Sequence, residues 1–190
     1  MLLDRYRLGE IPFALCLGAT RAKKNLAAAL HGLAALPSHD ARAREMRLVV
    51  TGDDTPELRR DLGLAAKLGL ASRVLFVGAV PEDDLPGLIR LASAVCVLSR
   101  SEGFGFPALE ALACGTPAIV PRGSAQAEVA GGGANERFVV DADEPESVAG
   151  ALVRAVGQRE ELRFSLPARA AELTWDACAL KVERLWESLA

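Results

Sequence analysis

Two glutamates enclose a glycine-rich turn near the middle of the chain. Glu102 directly precedes the tripeptide Gly-Phe-Gly at 103–105, and Glu110 follows Glu102 by eight residues, one turn into a segment that Pro107 is predicted to open as a helix. Glycine lets a backbone approach a ligand closely, and a helix start offers free N–H groups and a positive dipole. This combination suits a phosphate or diphosphate, with the carboxylates accepting hydrogen bonds from hydroxyls on either side of it, such as those of a sugar and a ribose.

The two glutamates also have plainer interpretations. Glu102 is then a turn residue and Glu110 a solvated helix residue. The small, apolar neighbours of Glu110 in the sequence ALEALA favour an inward-facing carboxylate over the solvated one.

A basic cluster opens the first helical pattern of the chain. Arg21, Lys23 and Lys24 lie in the loop GATRAKKN at 18–25, directly after an apolar run. Such a cluster suits diphosphate capture, and a solvated surface patch is the alternative. The loop is neither a P-loop nor a G-x-G-x-x-G fingerprint, which makes a nicotinamide-dependent oxidoreductase the least favoured class.

Other kinds of chemistry find little support in the residues. The four cysteines form no C-x-x-C pair, and His31 and His39 belong to no H-E-x-x-H motif, so no metal bound by protein ligands is expected. No G-x-S-x-G elbow indicates a Ser-His-Asp triad. The turn TGDDTP resembles a phospho-acceptor loop only weakly, and Asp53 or Asp54 is predicted to cap the following helix.

These loops require elements that bring them together. Short apolar runs without polar alternation alternate with longer helical patterns, as expected for strands buried on both faces of a parallel sheet. The predicted strands are 13–17, 47–50, 74–77, 94–98, 117–120 and 138–140, and the predicted helices are 25–36, 56–68, 83–91, 107–113 and 146–156. Helix continues to the end of the chain, with a predicted break near Pro167 and a new segment from about Trp175. The pattern predicts an α/β fold, a Rossmann-like, doubly wound parallel sheet of about six strands with flanking helices, whose ligands bind at the carboxyl ends of the strands.

Composition narrows the partners and the compartment. The chain has 190 residues, a net charge of −3 and 51% hydrophobic residues, so it can bury a core and carries no basic field for nucleic acid. No apolar run reaches the length of a membrane span, and the N-terminus does not resemble a signal peptide. A single cytoplasmic domain is expected, without nucleic-acid partners or a transmembrane segment.

The motifs together resemble the nucleotide-binding half of the group 1 (family 4) glycosyltransferases, which have the GT-B fold. The resemblance extends from about Phe13 to Trp186 and is carried by GATRAKKNL, the TGDD turn, the stretch RVLFVGAVPEDDLPGLIRLASAVCVLSRSEGFGFPALEALACGTPAIV and the closing LTWDACALKVERLW. Its most specific part is the E-x7-E arrangement of Glu102 and Glu110, followed by Gly115-Thr116-Pro117.

The resemblance implies a role for each matching residue. Glu102 would meet hydroxyls of the donor sugar, Lys24 would neutralise the diphosphate, and Glu110 would bind the ribose hydroxyls. Many members have an arginine directly after the glycine of the first loop, where this sequence has Ala19, and Arg21 and Lys23 stand nearby as replacements. The predicted catalytic residues are Glu102 and Lys24; the predicted donor-binding residues are Gly18, Arg21, Lys23, Lys24, Val80, Glu102, Gly103, Phe104, Gly105, Leu109 and Glu110. Val80 would contact the base, and 103–105 and Leu109 would offer backbone amides.

The implied reaction is retaining transfer of a glycosyl group, with mannosyl and glucosyl as options, from a nucleotide-diphosphate sugar to an acceptor hydroxyl. No metal or other cofactor is expected. Enzymes of this family have an N-terminal acceptor domain, which is absent here, so residues 1–190 are expected to be the C-terminal donor-binding half and inactive alone. Association with a membrane through the missing domain stays open. The alternatives are a standalone non-catalytic nucleotide-sugar-binding module and a fragment of a glycogen- or sucrose-synthase-like GT-B enzyme.

Overall fold

A computed structural model of the chain describes residues 2–36 and 40–189. Within these ranges it contains one six-stranded, all-parallel sheet with the strand order β3-β2-β1-β4-β5-β6. The strands are β1 Phe13–Cys16, β2 Arg47–Thr51, β3 Val74–Gly78, β4 Ala94–Cys96, β5 Ala118–Pro121 and β6 Val139–Val140. All six predicted strands are therefore confirmed, and the fold is the predicted Rossmann-like α/β arrangement. His39 lies outside the described residues.

Helices connect and flank the strands. The α-helices of the described residues are α1 Leu2–Arg5, α2 Leu26–Ala34, α3 Ala41–Glu45, α4 Pro56–Lys67, α5 Leu85–Leu91, α6 Phe106–Ala113, α7 Ala125–Ala130, α8 Pro145–Ala171 and α9 Trp175–Leu189. Two short 3-10 helices cover Ala22–Lys24 and Gly133–Phe138. The five predicted connecting helices are present, whereas α1, α3 and α7 were not predicted.

The core lies between the sheet and the longer helices. The central strands are buried along their whole length, as their continuous apolar sequences require. Helix α8 packs against both α2 and α6. Gly32 in α2 permits the first of these contacts, because a Cβ there would collide with the side chain of Val148.

The predicted helix break near Pro167 is wrong. Pro167 lies inside α8, which continues to Ala171. Leu162 and Leu166 beside it are each 1% exposed, so the packing of this turn offsets the hydrogen bond that proline removes. The chain leaves the helical path only after Ala171 and resumes it at Trp175, where the new segment was predicted.

The strand order places one crevice at the centre of the sheet. From β1 the chain winds outward through β2 to β3, then returns to β4 on the other side of β1 and winds outward again to β6. The loops after β1 and β4 therefore diverge at this reversal point. Ligands of open α/β sheets bind at such a point, and these two loops carry the basic cluster and Glu102.

Candidate functional site

Lys24 and Glu102 form an ion pair across the reversal point of the sheet. The distance between Lys24 Nζ and Glu102 Oε1 is 2.7 Å. The Lys24 side chain is 19% exposed and that of Glu102 is 13% exposed, so both ions are largely withdrawn from water but reachable from the crevice. The structure thus joins two residues, 78 positions apart, that the sequence placed in separate loops.

Opposing influences act on the Glu102 carboxyl group. Partial burial acts to raise its pKa. The hydrogen bond from Lys24, the neighbouring Ser99 hydroxyl, and the positive charges of Lys24 and Lys23 outweigh burial and hold the pKa below its usual value. Glu102 is therefore a carboxylate at neutral pH, able to accept hydrogen bonds from hydroxyl groups.

A tight turn places Lys24 in this position. Residues Ala22–Lys24 form the short 3-10 helix, and Asn25 ends it in the left-handed region with φ +54°. The backbone N–H of Arg100 donates to the carbonyl oxygen of Lys23 at 2.9 Å. The basic turn is therefore bonded to the glutamate loop through the backbone as well as through the ion pair.

Two threonines, the last residue of β2 and the N-cap of α4, support the start of the basic loop. The backbone N–H of Gly18 donates to Thr51 Oγ1 at 3.1 Å, and the Thr55 hydroxyl donates to the carbonyl oxygen of Thr20 at 2.5 Å. The TGDD turn thus contributes to the site by bracing 18–20.

The prediction that Asp53 or Asp54 caps the following helix is wrong. Thr55 is the N-cap of α4, where its hydroxyl oxygen accepts from the backbone N–H of Leu58 at 3.2 Å. Asp54 pairs with Arg59 instead, through two bonds of 2.9 Å. Threonine and aspartate both cap helices, so residue type alone could not select between neighbouring positions.

The glycine-rich turn presents unpaired backbone donors. The amides of Gly103, Phe104 and Gly105 donate no hydrogen bond to any residue that the structure describes. Gly105 is the N-cap of α6 with φ +103°, a conformation that favours glycine. The amide of Leu109, also predicted to face the donor, is engaged within the helix, donating to the Gly105 carbonyl at 3.3 Å.

Glu110 lies farther along α6. Its side chain is exposed, so it does not turn into the protein interior as the apolar sequence around it suggested. Neighbouring atoms still desolvate the carboxyl group enough to raise its pKa, and the charge of Lys24 opposes that rise. Glu110 is therefore close enough to Lys24 for the lysine charge to affect the glutamate pKa. Its side chain is also exposed enough to contact a ligand.

The remaining predicted residues lie on the same edge. Gly18 has φ +55° and is exposed, as are Arg21 and Lys23 on the basic turn. Val80 follows β3 and is partly buried against the core. Strand β3 is two positions from β1 in the sheet, so Val80 lies apart from the ion pair. The topology brings the loops that carry or precede these residues to the carboxyl ends of the strands. Among the described residues predicted for the site, Lys24 and Glu102 form an ion pair.

A polar cleft of about 490 Å³ adjoins Glu102 on the side of β5. Its lining includes Arg100, Arg122 and Gln126, none of which was predicted as a site residue. Helix α7 contributes Gln126, and its N-cap Ser124, which accepts from Ala127 N–H, was the available sequence signal for this helix.

Metal ligands and membrane-spanning helices were both predicted to be lacking. Within the described ranges no group of three His, Cys, Asp or Glu side chains is arranged to hold a metal ion. The expectation that donor binding requires no metal stays a prediction. No helix of the described chain is both long and apolar enough to cross a membrane.

The parallel sheet has the strand order 3-2-1-4-5-6, with the Lys24 ammonium group and the unpaired amides of 103–105 at its reversal point. This arrangement defines a Rossmann-like α/β protein of the GT-B class. Sequence comparison then gives the family. A family model described as "Glycosyl transferases group 1" matches residues 7–172, and the chain belongs to this family of glycosyltransferases.

Curated relatives agree with this assignment. The chain is 36% identical over 137 residues to a D-inositol 3-phosphate glycosyltransferase of Corynebacterium jeikeium, covering 70% of this chain and 32% of the relative. It is 37% identical over 120 residues to the serotype-specific mannosyltransferase WbdA of Escherichia coli, covering 62% and 14%. The chain spans about a third of the length of the first of these relatives.

Solved structures share the fold. Sucrose-phosphate synthase from Thermosynechococcus elongatus matches with a TM-score of 0.80 at 26% identity, over 98% of this chain and 48% of that one. HepE of Anabaena, solved in complex with UDP-glucose, matches with a TM-score of 0.74 at 21% identity, over 98% and 51%. The described chain corresponds to about half of each of these structures.

Proposed function

We propose that this chain is the donor-binding half of a retaining glycosyltransferase, which binds a nucleotide-diphosphate sugar for transfer of its glycosyl group to an acceptor hydroxyl. The observation that carries the proposal is the 2.7 Å Lys24–Glu102 pair beside the free amides of 103–105 at the reversal point of the sheet. UDP and UDP-glucose complexes of HepE, which shares the fold, support a nucleotide-sugar ligand.

The proposed roles follow from the chemistry of each group. The Lys24 ammonium group has three donors, of which Glu102 uses one, so it can bind a diphosphate oxygen without releasing Glu102. The Glu102 carboxylate accepts from donor-sugar hydroxyls, and the amides of 103–105 donate to the diphosphate. Glu110 accepts from the ribose hydroxyls, and Val80 contacts the base. Arg21 and Lys23 supply further positive charge around the leaving group.

The transfer step requires little of the protein beyond positioning and charge. The bond between the sugar's anomeric carbon and the diphosphate oxygen breaks, and its electron pair leaves on the diphosphate. The acceptor oxygen bonds to the anomeric carbon, and the proton of the acceptor hydroxyl passes to the departing diphosphate oxygen. Lys24 and the free amides stabilise the charge that develops on the departing diphosphate. Glu102 holds the sugar in the orientation from which transfer occurs.

We assign the acceptor site to a second, N-terminal domain that is not part of this sequence. The D-inositol 3-phosphate glycosyltransferase and sucrose-phosphate synthase described above are each about twice as long as this chain. Helix α9 carries exposed apolar side chains, including Trp175, Leu185 and Trp186, which offer a surface for such a domain. On this proposal the 190-residue chain binds donor weakly and does not turn it over. A cytoplasmic location stays a prediction.

Calorimetric titration of the chain with UDP-glucose, GDP-mannose and ADP-glucose tests the proposal. One of the three should bind, and Lys24→Ala and Glu110→Ala should each weaken that binding roughly tenfold, the effect of losing one charged hydrogen bond. Lys67→Ala and Glu160→Ala, exposed positions on α4 and α8, serve as matched controls. Absence of binding to all three ligands, or equal binding by the site and control variants, would contradict the proposal.

A further inference from the structure

One buried amide side chain at the carboxyl edge has no part in the donor site described above. Gln126 lies in the first turn of α7 and is 1% exposed. Its Nε2 donates to the carbonyl oxygen of Ser99 at 3.0 Å. A carbonyl oxygen only accepts hydrogen bonds, so the amide nitrogen must be the atom that faces it. This bond joins α7 to Ser99, the third residue after β4 and the first of the loop 99–105.

Gln126 also contacts the other end of the same loop. A Cβ on Gly105 would lie 3.1 Å from the Cα of Gln126 and 3.3 Å from its Cγ, so the glycine packs directly on this residue. Gln126 therefore holds the loop 99–105 at both its first and its last residue. Between these two points lie Glu102 and the amides of Gly103 and Phe104.

The helix that carries Gln126 is itself fixed to the sheet. The Ser124 hydroxyl donates to the carbonyl oxygen of Pro121 at 2.6 Å, and its oxygen accepts from the backbone N–H of Ala127 at 3.2 Å. Pro121 is the last residue of β5. The position of β5 is thus transmitted through the first turn of α7 to the glutamate loop.

The second polar atom of Gln126 indicates why an amide stands here. Its Oε1 is buried and has no hydrogen-bond partner among the described residues. An apolar side chain of the same length would fill this space without an unpaired oxygen. The contribution that distinguishes glutamine from such a side chain is the bond from Nε2 to Ser99.

We propose that Gln126 is a positioning residue, whose hydrogen bond to Ser99 orders the loop 99–105 so that Glu102 meets the donor sugar while the amides of 103–105 meet the diphosphate. The identity of the ligand in this inference rests on the proposed function, whereas the ordering of the loop does not. The predicted consequence is selective: Gln126 supports binding of the sugar part of the donor, while the nucleoside diphosphate is held mainly by Lys24 and Glu110.

The test uses Gln126→Met in the 190-residue chain, with Gln158→Met as the matched control. Gln158 lies on α8, where its Oε1 accepts from Arg137 at 3.0 Å, away from the loop. In the unliganded protein, Gln126→Met should raise the hydrogen-exchange rate of the Arg100 amide, which donates to the Lys23 carbonyl, and leave the rates of β1 unchanged. The ratio of the Kd of UDP to that of UDP-glucose should fall roughly threefold to tenfold, the loss expected for one hydrogen bond, with the Kd of UDP itself rising by a smaller factor. GDP with GDP-mannose and ADP with ADP-glucose are the parallel pairs.

A second variant makes the role separable from general stability. In Gln126→Glu the introduced carboxyl group has the size of the amide but can donate to the Ser99 carbonyl only when protonated. Burial raises the pKa of such a group. The sugar-dependent gain in affinity should therefore approach that of the original protein near pH 5 and disappear towards about pH 8, while Gln158→Glu shows no such change relative to the original protein.

The outcomes separate the inference from the proposed function. Unchanged loop exchange in Gln126→Met together with an unchanged Kd ratio overturns the positioning role. If Gln126→Met fails to fold, the pH dependence of Gln126→Glu decides, and a pH-independent Kd ratio and loop exchange overturn it. Raised loop exchange in a chain that binds none of the six nucleotides would leave the ordering role standing and refute the proposed function.

Discussion

The Lys24–Glu102 ion pair belongs to the proposed binding site and also restricts the motion of the lysine side chain. A lysine that was free to rotate would lose conformational entropy when it captured a diphosphate. Here Glu102 already holds the ammonium group at 2.7 Å, and the backbone bond from Arg100 to Lys23 holds its turn. The cation is therefore oriented before any ligand arrives.

Substitution of Glu102 by glutamine should lower stability in a pH-dependent manner. The folded-state pKa of Glu102 is depressed, so its contribution is present in full above the ordinary glutamate pKa of about 4.3 and is lost as the pH falls through the folded-state value. Urea unfolding should give Glu102→Gln a deficit of up to about 1 kcal/mol at neutral pH. The deficit should shrink as the pH falls below about 4.3 and through the folded-state pKa.

The matched control for this experiment is Glu160→Gln, at an exposed position on α8. It should show no comparable loss at neutral pH. A deficit of Glu102→Gln that stays the same between pH 3 and pH 7 would show that the ionised carboxylate is not the stabilising form.

Residue types alone predicted the site only at positions where a single type of side chain suits the proposed function. A basic turn and two glutamates around glycines indicated an anion and hydroxyl groups, and the structure places them on one edge. Whether Thr55 or Asp54 caps α4 depends on the position of the backbone and on the competing ion pair between Asp54 and Arg59. Neither of these can be inferred from residue type alone. Gln126 gave no signal, because its partner is a backbone carbonyl 27 residues away.

Among the elements, β5 depends on a side chain to complete its edge. Strand β6 has only two residues and does not pair with Ala118. The side chain of Asn135 makes the hydrogen bonds to Ala118 that a longer strand would make. Asn135 Nδ2 donates to the Ala118 carbonyl at 3.0 Å, and its Oδ1 accepts from the Ala118 N–H at 3.1 Å. Asn135 is 1% exposed, so water cannot replace these bonds.

Replacement of Asn135 by leucine should therefore be costly. It leaves the buried N–H and carbonyl of Ala118 unpaired, and the free energy of unfolding should fall by about 2–4 kcal/mol. Chemical denaturation measures this loss, with Gln158→Leu as a control expected to cost under about 0.5 kcal/mol. Equal losses in the two variants would contradict the role of Asn135.

The turn after α6 depends on a glycine for close packing. Gly115 has φ +74°, and a Cβ there would lie 2.5 Å from the Arg163 carbonyl oxygen of α8. Gly69 has φ +73° with no atom within 4 Å of such a Cβ. Gly69→Ala should thus cost about 1 kcal/mol from backbone strain, and Gly115→Ala about 3 kcal/mol or more. Thermal unfolding compares them, and similar Tm values would argue against the close α6–α8 packing.

Elements were predicted well where they are long or fully apolar. All six strands follow from apolar runs, because a parallel sheet buries both faces. The missed helices α1, α3 and α7 have four to six residues, too few for a helical period to emerge. The break predicted at Pro167 failed because tertiary packing of Leu162 and Leu166 overrides the local preference of proline.

At the scale of the whole molecule, the described chain divides into a packed body and one exposed helix. No residue of α9 is buried, and Trp186 is 77% exposed, whereas Leu152 of α8 is fully buried. Trp186→Ala should change the free energy of unfolding by less than about 0.5 kcal/mol, and Leu152→Ala should lower it by about 2–5 kcal/mol. Denaturation of both variants checks this. A loss for Trp186→Ala as large as that for Leu152→Ala would show that α9 is part of the core.

The two regions also separate the proposed tasks. On the proposed function, donor binding belongs to the loops after β1, β3 and β4, which stand on the packed body. The apolar face of α9 is assigned to contact with the acceptor domain. Trp186→Ala should consequently leave nucleotide-sugar binding by this chain unchanged, so a weakening of that binding would contradict the division.

The reversal point between β1 and β4 is the proposed binding site for a nucleotide-diphosphate sugar. The most direct measurement is a two-dimensional NMR titration of the 190-residue chain with UDP-glucose, GDP-mannose and ADP-glucose. One of them should shift backbone amide signals at Gly18, Lys24, Val80 and 102–105, with no comparable change in α9. Shifts confined to surfaces away from this edge, or no shifts with any of the three, would contradict it.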